Sequence, residues 1–209
     1  MRGAVLAGAL ALAVFANAPA AAQQALPVPP VTGADRVLGS PDAPVTIVEY
    51  ASFTCPHCAD FHTQVLSEIK TRYIDTGQAR LVYRDFPTAP AALSETASRV
   101  ARCAAPEAYF DVVDSLFGGQ ATMRSGGDPN AWLSAAVRVA GRPAQDVLAC
   151  VYAPETQAQM TAVVEAAWTA GVRGTPTLIV DGVAVPATLE GLSAAIDARL
   201  AAASAAGTP

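Results

Sequence analysis

The sequence predicts an α/β domain: a strand–helix–strand opening, an all-helical middle and a strand–strand–helix close. Three observations carry this. A β-branched run, Val45-Thr46-Ile47-Val48-Glu49-Tyr50, is followed by an apolar stripe of helical spacing and then by Arg80-Leu81-Val82-Tyr83-Arg84-Asp85-Phe86. From about Ala91 to Ala170 the chain is Ala-rich and offers no convincing strand. Thr177-Leu178-Ile179-Val180 and Val183-Ala184-Val185 then flank Asp181-Gly182, a strong two-residue hairpin signal.

The elements follow in chain order. Met1-Arg2-Gly3 is positively charged, Ala4 to Ala16 is apolar, and Ala20-Ala21-Ala22 after Pro19 offers small residues for cleavage. This reads as a signal peptide over 1–22, hence export to the periplasm. The alternative, a membrane anchor, has too short an apolar run. Residues 23–40 read as a lead-in, Pro- and Gly-rich and irregular from Gln23 to Ala34. The domain itself is expected over 41–209, with a helical insertion at about 91–170. After the turn Ser40-Pro41-Asp42-Ala43-Pro44 comes the first strand.

A helix should begin at Cys55, because Pro56 suits the first helical position, where its missing N–H is no loss. Phe61, Val65, Ile69 and Tyr73 give one apolar stripe, and Gly77 ends the helix. Strand, helix, strand makes the two strands parallel. The middle reads as four or five helices broken at Pro106, Gly118-Gly119, Gly126-Gly127, Gly141 and Pro154. The last carries Met160, Val163, Val164, Ala167 and Trp168 on one face. Thr188 can cap a final helix to about Ala202.

Composition narrows the function. The 209 residues carry a net charge of −5 with 15% charged and 52% hydrophobic residues. Such a chain folds. With no cluster of Lys and Arg, nucleic acid is excluded as a partner. No cofactor motif is present. Four cysteines, Cys55, Cys58, Cys103 and Cys150, suggest two disulfides in an exported protein.

Cys55-Pro56-His57-Cys58 is the most informative segment. At a helix start the first sulfur meets unpaired backbone N–H groups and the positive end of the helix dipole, which favour a thiolate. His57 adds a donor, and a positive charge when protonated. Stabilising the thiolate stabilises the reduced protein and makes the disulfide a better oxidant. Other readings compete. A metal carrier could use Cys55, Cys58 and His62, but a fourth ligand or open position is needed. Haem attachment needs His after the second Cys, where Ala59 stands. A purely structural disulfide would close almost no loop. His62 itself reads as a solvated helix residue.

The run Glu49-Tyr50-Ala51-Ser52-Phe53-Thr54-Cys55-Pro56-His57-Cys58-Ala59-Asp60-Phe61, with Gly174-Thr175-Pro176-Thr177 late in the chain, resembles the two signatures of DsbA-like thiol–disulfide oxidoreductases. The likeness covers about Val37 to Ala202. It implies a thioredoxin-like fold with the helical insertion between its βαβ and ββα halves. It also implies roles: Cys55 the exposed attacking sulfur, Cys58 its buried partner, Pro176 a cis-proline against the disulfide, and Thr175 offering backbone to a substrate peptide. Glu49 would be a buried carboxylate relaying protons to Cys58, or else a surface residue of an edge strand. The implied partners are reduced exported polypeptides and a DsbB-like membrane quinone reductase for reoxidation. Thr before the cis-proline looks more like the isomerase branch. Cys-Pro-His-Cys points to oxidase, and residues 23–40 are too short for the isomerases' dimerisation domain. A monomeric oxidase is the expectation, with isomerase or reductase activity open.

Cys103 and Cys150 are expected to form a structural disulfide, worth about 4 kcal/mol in the chain-entropy picture. Two buried free thiols, or a pair exchanging with Cys55 and Cys58, are the alternatives.

Overall fold

The computed structural model describes residues 25–206. The expected signal peptide lies outside the described residues. Among them, no helix is long and apolar enough to cross a membrane.

Five strands form one mixed sheet in the order β1-β3-β2-β4-β5. They are β1 (Arg36–Leu38), β2 (Val45–Ala51), β3 (Ala79–Asp85), β4 (Thr177–Val180) and β5 (Val183–Val185). β2 lies at the centre, parallel to β3 and antiparallel to β4. A central strand is covered on both faces, so Val45, Ile47, Val48 and Tyr50 are all buried. The expected parallel pair and hairpin are both present. Asp181 (φ 44°) and Gly182 (φ 86°) take the left-handed conformations that a tight hairpin turn demands.

The helix after β2, α1, runs over residues 56–74. It is α-helical over Pro56–Asp60 and Leu66–Ile69 and π-helical over Phe61–Val65 and Lys70–Ile74. The stripe of Phe61, Val65, Ile69 and Tyr73 repeats every four residues, slower than an α-helix turns. The wider π turns take up that difference and keep the stripe on the sheet. Gly77, at φ 75°, ends the run.

The helical middle comprises α2 (Ala91–Arg102), α3 (Tyr109–Arg124), α4 (Pro129–Arg138), α5 (Ala144–Val151) and α6 (Pro154–Thr169), with a 3-10 turn at Pro106–Ala108. The last helix, α7 (Leu189–Ala206), is capped by Thr188, whose hydroxyl accepts from Gly191 N–H at 3.1 Å.

Three apolar clusters join these parts. Val45, Ile47, Leu81 and Leu178 meet Phe61, Leu66 and Ile69 of α1 and Leu192 and Ile196 of α7. On the opposite face Val48, Tyr50, Val82 and Ile179 meet Ala167 of α6, with Leu26, Val28 and Val31 of the lead-in packed alongside. The third cluster lies where β2 and β3 end: Ala51, Phe53 and Tyr83 pack against Val112, Leu116 and Phe117 of α3. Each large side chain so buried contributes about 1.5–3 kcal/mol. A disulfide between Cys103 and Cys150 ties the end of α2 to α5, with Cα atoms 5.8 Å apart.

β1, beyond the stretch read as irregular, pairs antiparallel with β3 and was not singled out from the sequence. A three-residue edge strand has too little pattern of its own to be read locally. Three expectations need correction. Gly118-Gly119 does not break a helix but lies inside α3. A Cβ at Gly119 would lie 2.9 Å from Trp132 Cδ1, so this glycine makes room for the Trp132 ring, whose N–H donates to Leu116 C=O at 2.8 Å. Trp168 is not a core residue: it is 50% exposed, tilted against Phe86 and covered by the Arg173 guanidinium. Glu49 is not on an edge, because its strand is the central one and its side chain is fully buried.

Candidate active site

β2 ends at Ala51, and the link Ser52-Phe53-Thr54 delivers Cys55 to the start of α1. That link is buried, with polar Ser52 and Thr54 on either side of apolar Phe53. Ser52 Oγ accepts from Thr88 N–H at 3.0 Å and lies 2.8 Å from Ser94 Oγ. The link's carbonyls are held from α3: Gln120 Nε2 donates to Phe53 O at 2.7 Å and Cys55 O at 3.0 Å, and Arg124 donates to Thr54 O at 3.1 Å. Thr88, Ser94, Gln120 and Arg124 were not singled out from the sequence. The break read at Gly118-Gly119 hid the continuous helix that carries Gln120 and Arg124 past the site.

Cys55 takes an extended conformation as the N-cap, and Pro56 opens the helix. Its sulfur lies 3.3 Å from Thr175 C=O. The Thr175–Pro176 bond is cis. So is Ala89–Pro90, which the sequence reading did not single out. The structure thus brings Cys55, Cys58 and the Thr175-Pro176 segment together at one end of β2 and β4. Cys55 is less open than expected, at 8% exposure, because the helix start and the proline segment cover it; Cys58 has none.

The two sulfurs differ sharply in acidity. Cys55 falls from an ordinary 9.0 to about 5. The main cause is the Cys58 thiol donating to it. Burial opposes this; Thr175 and the backbone N–H groups of Cys58 and His57 reinforce it. Cys58 is pushed far above its ordinary value, chiefly by burial, then by its hydrogen bond to Cys55 and the negative field of Glu49. The His57 side chain is exposed.

Beneath Cys58, both oxygens of Glu49 meet His62 Nε2, at 3.1 and 3.0 Å. His62 is therefore not the solvated helix residue expected. It is buried and stacked on Phe117 with ring centroids 4.1 Å apart. The widened π turn of α1 carries it inward beside Phe61. With Nε2 committed to Glu49, His62 is not arranged with Cys55 and Cys58 as a ligand set. Among the described residues, no group of three or more His, Cys, Asp or Glu could hold a metal ion. The metal-carrier reading is set aside.

A family model described as thioredoxin matches residues 31–198. A protein of Rickettsia bellii named as a protein-disulfide oxidoreductase is 45% identical over 69 residues, 33% of this chain. The match spans only about a quarter of that relative's own length, 26%. The structure of BdbD from Bacillus subtilis superposes with a TM-score of 0.73 at 20% identity, covering 84% of this chain and 98% of that one. Wolbachia pipientis α-DsbA1 gives a TM-score of 0.70 at 24% identity over 81% of this chain and 92% of its own. The chain belongs to the thioredoxin family and has its DsbA-like form, with a helical block set between the two halves of the fold.

Proposed function

We propose that this chain is a periplasmic protein-disulfide oxidoreductase that passes the Cys55–Cys58 disulfide to reduced exported polypeptides. The observation that carries this reading is the placement of the two sulfurs: Cys55 caps the start of α1 beside the cis Thr175–Pro176 bond and Cys58 is sealed in the core, which splits their acidities. A sulfur that stays anionic is a good leaving group and stabilises the reduced protein, so the disulfide form is an oxidant. Each pKa unit corresponds to about 1.4 kcal/mol, and that energy to about 30 mV for a two-electron couple.

A substrate thiolate attacks Cys55 Sγ, and Cys58 leaves with the electron pair of the broken S–S bond. Cys58 takes up one proton. A second substrate thiolate attacks its own sulfur in the mixed disulfide, closing the substrate disulfide and releasing Cys55 as a thiolate. In this scheme Thr175 and Pro176 present backbone to the substrate, His57 adds a donor at the rim, and Glu49 handles the Cys58 proton. Reoxidation falls to a DsbB-like membrane quinone reductase, and the working unit is a monomer. The Cys103–Cys150 disulfide fits an oxidising compartment. A second reading, isomerase or reductase, has Thr175 before the cis-proline in its favour.

The reduction potential separates these readings. Equilibration with glutathione redox buffers should give a Cys55–Cys58 potential well above the roughly −270 mV of thioredoxin. A value near that of thioredoxin would overturn the oxidase reading.

A further inference from the structure

The proposed cycle places a proton on Cys58 in one half and removes it in the other. Cys58 has no solvent exposure, and neither has Glu49. A carboxylate sealed in the core can lend a proton once, but it needs a route to water to be restored. His62 supplies a candidate route. Its Nε2 lies within 3.1 Å of both Glu49 oxygens. Its ring is held face-on by Phe117 and edge-on by Tyr83. Its second nitrogen, Nδ1, is buried without a hydrogen-bond partner, an arrangement that costs about 1–3 kcal/mol unless water reaches it. His62 also lines a groove of about 270 Å³ between α1 and α3, with Thr63, Ser67, Lys70 and Asp114 on its walls. The rest of its wall is apolar (Leu38, Leu66, Phe110 and Phe117), but Thr63, Ser67 and Lys70 are exposed, so the groove opens to solvent and a space of that size admits water, at about 30 Å³ each.

We propose that His62 is the proton port of the buried cysteine: its ring carries a proton between groove water at Nδ1 and Glu49 at Nε2, and Glu49 exchanges it with Cys58 Sγ. The inference rests on the redox reading above. On reduction, one proton adds to Nδ1, the Nε2 proton passes to the Glu49 carboxylate, and the carboxylic proton passes to the Cys58 thiolate. One proton enters, and the electron pair is the one Cys58 already holds. On reoxidation the Cys58 thiol loses that proton along the reverse path as its sulfur attacks Cys55, and the imidazole regains its first tautomer. The titratable and charged groups about the ring are Glu49 from β2 and Tyr83 from β3, with Lys70 of α1 and Asp114 of α3 on the groove walls.

The test is a single reoxidation of the full reduced protein by glutathione disulfide, followed by rapid acid quench and mass spectrometry. Capture of glutathione by Cys55 needs no internal proton transfer; closure by Cys58 does. His62→Gln keeps an amide that can donate to Glu49 but has no ring to relay. It should leave capture unchanged and slow closure about ten-fold or more. Added imidazole should restore part of the closure rate in the variant and none in the parent. Closure at the parent rate would overturn the port. So would equal slowing of both steps, which marks a structural prop. Should His62→Gln fail to fold, the parent in heavy water decides: slower closure with unchanged capture supports the port, and unchanged closure overturns it. If the parent captures no glutathione, the redox reading itself fails and the port falls with it.

Discussion

Cys55 and Cys58 sit at the mouth of α1, whereas Cys103 and Cys150 lie 47 positions apart and join the end of α2 to α5. The same chemical group has opposite uses in these two regions, and loop size and surroundings decide which. A bond across a four-residue ring restricts the unfolded chain little, about 2 kcal/mol in the chain-entropy picture, whereas the long loop gives about 4 kcal/mol. The short pair also stands where a thiolate is stabilised, so its reduced form has support of its own. At the long pair, Cys103 is buried among apolar side chains of the helical block, and Cys150 Sγ lies 3.6 Å from the Thr156 hydroxyl.

The largest expected effect follows from that contrast. Replacing Cys103 and Cys150 together by Ser should lower the unfolding free energy of the oxidised protein by about 4 kcal/mol. Capture of glutathione at Cys55 should persist. Replacing Cys55 and Cys58 together should cost about 2 kcal/mol and end all thiol exchange. Denaturant unfolding of both double variants checks the pair. Equal losses would erase the distinction drawn between the two disulfides.

The next effect concerns pH. The folded pKa of Cys55 is depressed from 9.0 to about 5. The unfolded chain therefore binds the extra proton, and the stabilisation of the reduced form is fully present above pH 9. It is lost as pH falls from 9 through 5, amounting to about 2–3 kcal/mol once partial access of water to the sulfur is allowed for. The oxidised form lacks this contribution. Unfolding the two forms side by side should show the stability difference shifting against the reduced form between pH 9 and 5. A flat difference would mean that Cys55 ionises as an ordinary thiol. Above pH 9 the raised pKa of Cys58 acts in the opposite sense, since the folded state then keeps a proton the unfolded chain would lose.

How legible these features were depended on how local their causes are. The turn at Asp181-Gly182, the cap at Thr188 and the Cys55-Pro56 helix start are set by neighbours in sequence, and all three stand where the sequence placed them. The partner of Glu49 was hidden, because His62 reaches it only when α1 lies on the sheet and a π turn rotates the side chain inward. Gly119 was misread for the same reason: its absent side chain answers Trp132, which arrives from another helix. β1 was missed because three half-buried residues acquire strand character only from β3.

The smallest expected effect tests whether the helical block serves the site or merely covers it. Gln120 of α3 donates to both Phe53 O and Cys55 O from a buried position. In Gln120→Leu the Cys55 carbonyl keeps a donor, Ala59 N–H at 3.2 Å. For the Phe53 carbonyl, no other donor is found among the described residues. One buried acceptor is left unpaired, which costs about 1–3 kcal/mol. Arg124, which donates to Thr54 O nearer the surface, should matter less, by about 1 kcal/mol or under in Arg124→Met. Chemical denaturation gives both losses, and the midpoint of Cys55 ionisation read by thiolate absorbance gives their effect on the site. If α3 sets the backbone that presents Cys55, Gln120→Leu moves that midpoint upward while Arg124→Met leaves it in place. A stability loss with no movement of the midpoint would make the helical block a cover, and would leave the acidity of Cys55 to the helix start and the Thr175 segment alone.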